Sequence, residues 1–193
     1  MNDCAVVIAR YNEDLSWSSL LNENLKIYLY NKGNEIISDS LNLPNIGRES
    51  DTFLYHIIEN YDRIDDFTIF LQGNPLSHYN RIIEFINDEQ YKKKDIFFLS
   101  DWIATDDING DPNHIGLEIS NVLDDMCIKF DQDIKFNFPS GAQYCVHNKF
   151  IYNKSLDWWK KLYQVHNKYI NDSPWIFERI WPLIWSIEEK SSF

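Results

Sequence analysis

Four apolar runs in this 193-residue chain end in side chains able to hold a polar ligand. Ala5 to Ala9 runs into Arg10, Tyr11, Asn12 and Glu13; Leu25 to Tyr30 into Asn31 and Lys32; Phe67 to Leu71 into Gln72 and Asn74; Ile96 to Leu99 into Ser100 and Asp101. One such ending says little, because loops are polar anyway, but four together point to a crevice. Arg48 follows Asn45-Ile46-Gly47 and precedes a helix start, so its guanidinium, backbone N–H groups and the helix dipole could converge on one anion. The competing reading is a turn at Gly47 with Arg48 paired to Glu49 or Asp51 on the surface. Glu178 and Arg179 sit in PWIFERIWPLIW, a segment too apolar to tolerate an unpaired charge. A carboxylate among Trp175, Trp181 and Trp185 would have its pKa raised toward the range of a general base; alternatively the pair ties this helix to another element. Asp101, Asp106 and Asp107 form a carboxylate cluster that either holds a hard cation or is a solvated loop.

The elements that must position these groups follow from periodicity. Phe53, Leu54, Ile57, Ile58 and Tyr61 make one helical stripe, with Ser50 as N-cap and Asp51 in the first turn. The four apolar runs read as strands, the first and third as buried ones. Short helices are expected over 15–21 and within 75–87, a surface loop over 34–45 and a loop over 102–115 with turn signals at Asn109-Gly110 and Asp111-Pro112. Leu117 to Phe130 reads as a helix, Phe136 to Val146 as an irregular strand and Ser155 to His166 as an amphipathic helix. The last helix starts with Ser173 as N-cap and Pro174 at N1, and Pro182 bends it. This alternation predicts an α/β fold over a single domain, 1–193, with a mostly parallel central sheet and helices on both faces. Ligands of such sheets bind beyond the carboxyl ends of the strands.

Composition narrows the classes further. The net charge of −12 repels nucleic acid and anionic membranes. No apolar stretch reaches membrane-spanning length, and the N-terminal run is too short for a signal peptide, so no membrane insertion is expected and a cytoplasmic, unsecreted protein is. Cys4, Cys127 and Cys145 are widely spaced, which indicates neither a disulfide framework nor a zinc cluster. The five histidines lack metal spacing, and there is no Walker loop or G-x-S-x-G.

The strings VVIARYNEDLSW, IYLYNKG, LPNIGRESDTFLYHIIENYD, FTIFLQGNP, GAQYCVHNKFI and PWIFERIWPLIW resemble, in that order, a family of uncharacterised domains grouped with GT-A-type glycosyltransferases. The resemblance implies a Rossmann-like GT-A fold and transfer of a sugar from a nucleoside diphosphate donor to a glycan or glycoprotein acceptor. Donor binding then falls to Arg10, Tyr11, Asn12, Lys32, Arg48, Gln72 and Asn74, with Tyr11 stacking on the base and the three cations meeting the diphosphate. Gln72-Gly73-Asn74 stands where many relatives carry a D-x-D metal pair; amide oxygens ligate a cation without supplying charge. Asp101, Asp106 and Asp107 are the alternative ligands of a divalent cation, Mg²⁺ or Mn²⁺. Gly141, Gln143 and Tyr144 line the acceptor side, and Glu178, with Asp101 as second candidate, takes the acceptor proton in a direct, inverting displacement. Two other readings stay open: a noncatalytic glycan- or nucleotide-binding module, and a hydrolase using Glu178 with Asp101.

Overall fold

The computed structural model describes residues 3–187. The chain enters as strand β1 (Cys4–Arg10), makes a 3-10 turn over Ser16–Leu20 and returns as β2 (Lys26–Asn31) and the short β3 (Ser40–Asn42). Helix α1 (Arg48–Glu59) leads to β4 (Phe67–Gln72), α2 (Ile82–Asn87) and β5 (Ile96–Phe98). There follow β6 (Ile103–Asp107), α3 (Ile119–Asp125), β7 (Lys135–Pro139), β8 (Tyr144–His147), α4 (Lys149–Tyr152), α5 (Leu156–Lys168) and α6 (Ser173–Ser186).

Six strands form one mostly parallel sheet in the order β3-β2-β1-β4-β8-β5, in which only β8 runs against its neighbours. Strand β1 pairs with β2 on one side and β4 on the other, so the chain reverses its direction of winding at β1. In doubly wound sheets a crevice opens at such a switch point, beyond the carboxyl ends.

Alternation along β1 and β4 sorts the core into two layers. Val7 and Phe70, with Tyr144 and Val146 of β8, face a large cluster built from α1, α3, α5 and α6. Val6, Ile8, Ile69 and Leu71, with Cys145, face a smaller one built from Trp17, Ile82, Phe85 and Ile86. Both faces are thus covered, which is why β1 and β4 read as unbroken apolar runs. Among the described residues, no helix is long and apolar enough to cross a membrane.

Several expectations are corrected. Residues 103–107 are a strand, not loop: β6 pairs antiparallel with β7 in a separate two-stranded ribbon. The single irregular strand expected over 136–146 is two strands in two different sheets, joined through the Ser140–Gln143 turn. The loop over 34–45 contains β3, the helix expected over 117–130 shrinks to Ile119–Asp125, and the expected helix over 15–21 is a 3-10 turn. Helix α1 starts earlier than Ser50: Gly47 is its N-cap at φ 59°, Arg48 also has positive φ, and Ser50 lies inside. A side chain on Gly47 would meet the His166 ring at 2.5 Å, so glycine is required there. Ser173 opens α6 but does not cap it; Asp172 occupies that position.

Behind the start of α1 lies a buried polar network. The Ser50 hydroxyl donates to Gly47 O (2.7 Å) and meets His166 Nε2 (2.9 Å), which also meets Ser173 Oγ (3.0 Å). The serine and histidine have the residue types of a nucleophile and its base, but both are fully buried, so this network joins α1, α5 and α6. Burial pushes the His166 pKa down to about 4, and the buried His56 imidazole down to about 3. The folded state therefore binds fewer protons than the unfolded chain below the ordinary value of 6.5, and stability falls as pH drops from there toward 4. Urea midpoints at pH 7.5, 6 and 5 should decrease in that order, the raised carboxyl of Glu49 offsetting part of the fall; midpoints that hold level or rise would count against buried neutral imidazoles.

Candidate functional site

At the carboxyl ends of β1, β2 and β4 a cleft of about 380 Å³ opens, lined by Arg10, Tyr11, Glu13, Lys32, Arg48, Glu49 and Gln72 among others. Three cations enter it, and two are already neutralised. The Arg10 guanidinium donates to Glu13 O, Tyr11 O and Asn31 Oδ1 and pairs with Glu35, fixing the loops after β1 and β2. The Lys32 ammonium donates to Ile46 O (2.6 Å), Arg48 O (2.7 Å) and Asp51 Oδ2 (2.6 Å). Burial draws the Lys32 pKa down, against the opposing pull of Asp51, and with all three protons committed this side chain anchors the Asn45–Arg48 turn. The third cation differs: Arg48 is exposed, lies over the Trp175 ring at 4.8 Å and has no ion pair among the described residues. Neither Glu49 nor Asp51 pairs with it, so the surface-pair reading of Arg48 is not what the fold produces.

Beside Arg48 stands Glu49, a carboxylate that the sequence offers only as a surface ion-pair partner. Burial pushes the Glu49 pKa up to about 7, and the negative charge of Glu178 adds to the rise. The same two carboxylates raise the Tyr144 hydroxyl, after burial itself, so Glu49, Glu178 and Tyr144 share one locality. Trp175 and Glu178 are three residues apart on α6 and therefore on one face, which brings Arg48-Glu49 of α1 against that face.

Glu178 is held from two sides. Its Oε1 accepts the Gly141 N–H at 2.7 Å, and Gly141 O accepts Gln72 Nε2 at 2.7 Å, so a chain of bonds runs from the cleft through the Gly141 turn to α6. Its backbone carbonyl lacks a helical donor, because the residue four positions on is Pro182, and the Tyr144 hydroxyl fills that place at 3.2 Å. Tyr144→Phe removes this donor and leaves the Glu178 carbonyl unsatisfied, at an expected cost of about 1–3 kcal/mol. Thermal unfolding of the variant measures it; an unchanged midpoint would mean that the carbonyl finds another donor.

The remaining expected site residues fall in different places. Tyr11 is exposed at the cleft and Asn12 is exposed after it, held near Gly33, where any side chain would meet Tyr11 O at 1.7 Å. Asn74 is exposed beyond Gln72 and is not part of the cleft wall. Gln143 is fully buried, accepting from Gln72 N and donating to Pro75 O and Leu99 O, and Tyr144 is fully buried too, so both build the site rather than meet a ligand. Asp101 accepts from Asn80 N, with its own N–H on His78 O, outside the cleft. Asp106 is buried on Arg179, and Asp107 accepts from Asn109 N and Asp111 N, which hold its pKa low. The three aspartates thus serve three separate purposes. Among the described residues no group of three or more His, Cys, Asp or Glu is placed to hold a metal ion.

Fold and site together define an α/β protein with a polar cleft at the switch point of its sheet. Residues 6–101, which carry β1 through β5, match the model of a family described as "Protein of unknown function (DUF3431)". Neither a curated protein nor a solved structure matches the chain. The family description names no activity, and the matched segment includes Arg10, Lys32, Arg48, Glu49 and Gln72 while stopping short of Gly141 and Glu178.

Proposed function

We propose that the chain is a glycosyltransferase of Rossmann-like GT-A type, binding a nucleoside diphosphate sugar in the cleft and passing its sugar by direct displacement to a glycan or glycoprotein acceptor. The observation that carries this reading is an exposed arginine with no ion pair among the described residues, Arg48, adjacent in sequence to a carboxylate raised to about neutral pH, Glu49, in a cleft at the switch point. The strand order β3-β2-β1-β4, that of one half of a doubly wound sheet, supports a nucleotide in this position. In this mechanism Tyr11 stacks on the base, Gln72 hydrogen-bonds the donor, and Arg48 meets the diphosphate as charge develops on the leaving group. Glu49, in its ionised form, takes the acceptor hydroxyl proton, a role that the Glu178 charge strengthens by raising its basicity. Glu49 thereby replaces Asp101, which lies outside the cleft, and Glu178 becomes its partner.

One observation favours a noncatalytic glycan-binding module instead: Arg10 and Lys32 are already neutralised by Glu35 and Asp51, leaving one cation for a diphosphate. A thermal-shift panel of UDP, GDP, CDP and their common sugars, with and without Mg²⁺ or Mn²⁺, separates the two. Ligand at about 100 times its dissociation constant adds about 2.7 kcal/mol. A selective shift that Arg48→Ala abolishes supports transfer; no shift with any nucleotide removes the donor site from this cleft.

A further inference from the structure

On the other side of Glu178 lies a second, smaller hollow of about 180 Å³, walled by Trp102, Phe138, Asn113, Ser140 and Glu178 among others. Trp102 is 70% exposed, which is unusual for so large an apolar side chain. Its backbone is nonetheless fixed: its N–H goes to Ser100 Oγ (3.2 Å), and its carbonyl accepts from Ser100 Oγ (2.8 Å) and Ser140 N (3.0 Å). A rigid backbone thus presents an indole with no ring partner among the described residues. Around it stand groups able to bond hydroxyls. The Asn113 amide donates to Asp106 Oδ1 (2.6 Å) and Thr105 O (3.3 Å), leaving its carbonyl oxygen without a partner among the described residues. The Ser140 hydroxyl is in the same state, and Glu178 has a part-exposed carboxylate. The local charge disfavours an anion, because Glu178 is acidic and Arg179 is already neutralised by Asp106.

We propose that this hollow is the acceptor subsite and takes one neutral sugar ring of a glycan, its apolar face on the Trp102 indole and its hydroxyls on Asn113, Ser140 and Glu178. The proposal deepens the transferase reading and rests on it for the word acceptor. Glu178 is the wall through which the hollow adjoins the Glu49 locality, and Gly141 links that wall to Gln72 of the donor cleft. A ring seated here stands next to Glu178, the carboxylate whose charge reaches Glu49.

Ligand-observed NMR with the methyl pyranosides of glucose, galactose, mannose, xylose and N-acetylglucosamine tests the subsite directly. At least one should bind the wild type, and Trp102→Ala should weaken it about tenfold or more. As a control, Trp102→Ala should unfold at the wild-type temperature, since the indole is mostly in solvent. Nucleotide thermal shifts are read on the same two proteins. Pyranoside binding lost in the variant, with nucleotide shifts retained, supports both the subsite and the transferase. Pyranoside binding lost in the variant, with no nucleotide shift in either protein, keeps the sugar subsite and overturns the transferase. No pyranoside binding to the wild type, or binding that Trp102→Ala leaves unchanged, overturns the subsite whatever the nucleotides do.

Discussion

Replacing Asp106 with alanine is expected to destabilise the fold by about 3 kcal/mol, because a buried arginine loses its main counter-charge and keeps only Glu178, at 3.4 Å. Arg179 is 3% exposed and Asp106 is fully buried; the guanidinium reaches Asp106 Oδ2 through Nε and Nη2, each at 2.7 Å. The other carboxylate oxygen accepts Asn113 N (3.0 Å) and its side-chain amide (2.6 Å), and Arg179 Nη1 donates to Trp175 O at 2.8 Å. The pair fastens the β6–β7 ribbon to α6, with the guanidinium 4.6 Å over the Phe138 ring. Urea unfolding measures the loss, and a double replacement, Asp106→Leu with Arg179→Met, should recover most of it, since what is costly is the buried guanidinium left short of its counter-charge. A single variant as stable as the wild type would mean that the guanidinium reaches water by another route.

Glu49→Gln is expected to lower the transfer rate by about 10²- to 10⁴-fold, the usual contribution of a general base, while leaving nucleotide binding intact. Glu49 titrates near 7, so the wild-type kcat/KM should rise as pH increases through that value and then level, and the variant should lose that limb. The stability effect runs the other way. A carboxyl raised from 4.5 to about 7 holds its proton more tightly in the folded state, so its ionisation opposes folding as pH climbs between those values. Above pH 7 the glutamine variant should be at least as stable as the wild type, which separates lost chemistry from lost structure. A rate that falls through the same pH would make Glu49 a proton donor and move the reaction toward hydrolysis of a glycosidic bond.

Much of the scaffold was legible because it obeys local rules. The stripe on α1 faces the core as its spacing requires, with Phe53, Leu54 and Ile57 fully buried, and the apolar runs of β1 and β4 lie at the sheet centre. Strand β6 was not legible. Ile103–Asp107 is polar because a two-stranded ribbon leaves much of it facing water, and the charge of its buried Asp106 is met by Arg179, 73 residues away. Ser50 looked like a cap because serine usually is one; the His166 ring against Gly47 displaced the helix start by a turn that no local pattern records. Within the site, the strand-end residues Arg10, Tyr11, Lys32 and Gln72 do gather in one cleft, together with Arg48. Glu49 suggests no more than a surface partner for Arg48, because a glutamate in a first helical turn is ordinary; its environment comes from α6, in the last part of the chain. Trp102 looks in sequence like any residue of a loop; what makes it notable is its exposure beside Glu178.

The position of β8 between β4 and β5 governs how the chain matures as it leaves the ribosome. Strands β1 to β4 lie side by side and can associate as they emerge, but β5 touches the sheet only through a strand made almost fifty residues later. Until Tyr144–His147 arrives, β4 has a bare edge and β5 has no partner, so residues 99–143 are made while two strand edges stand unpaired. A fragment ending at Asp101, although it spans the family match, would stay in that half-zipped condition.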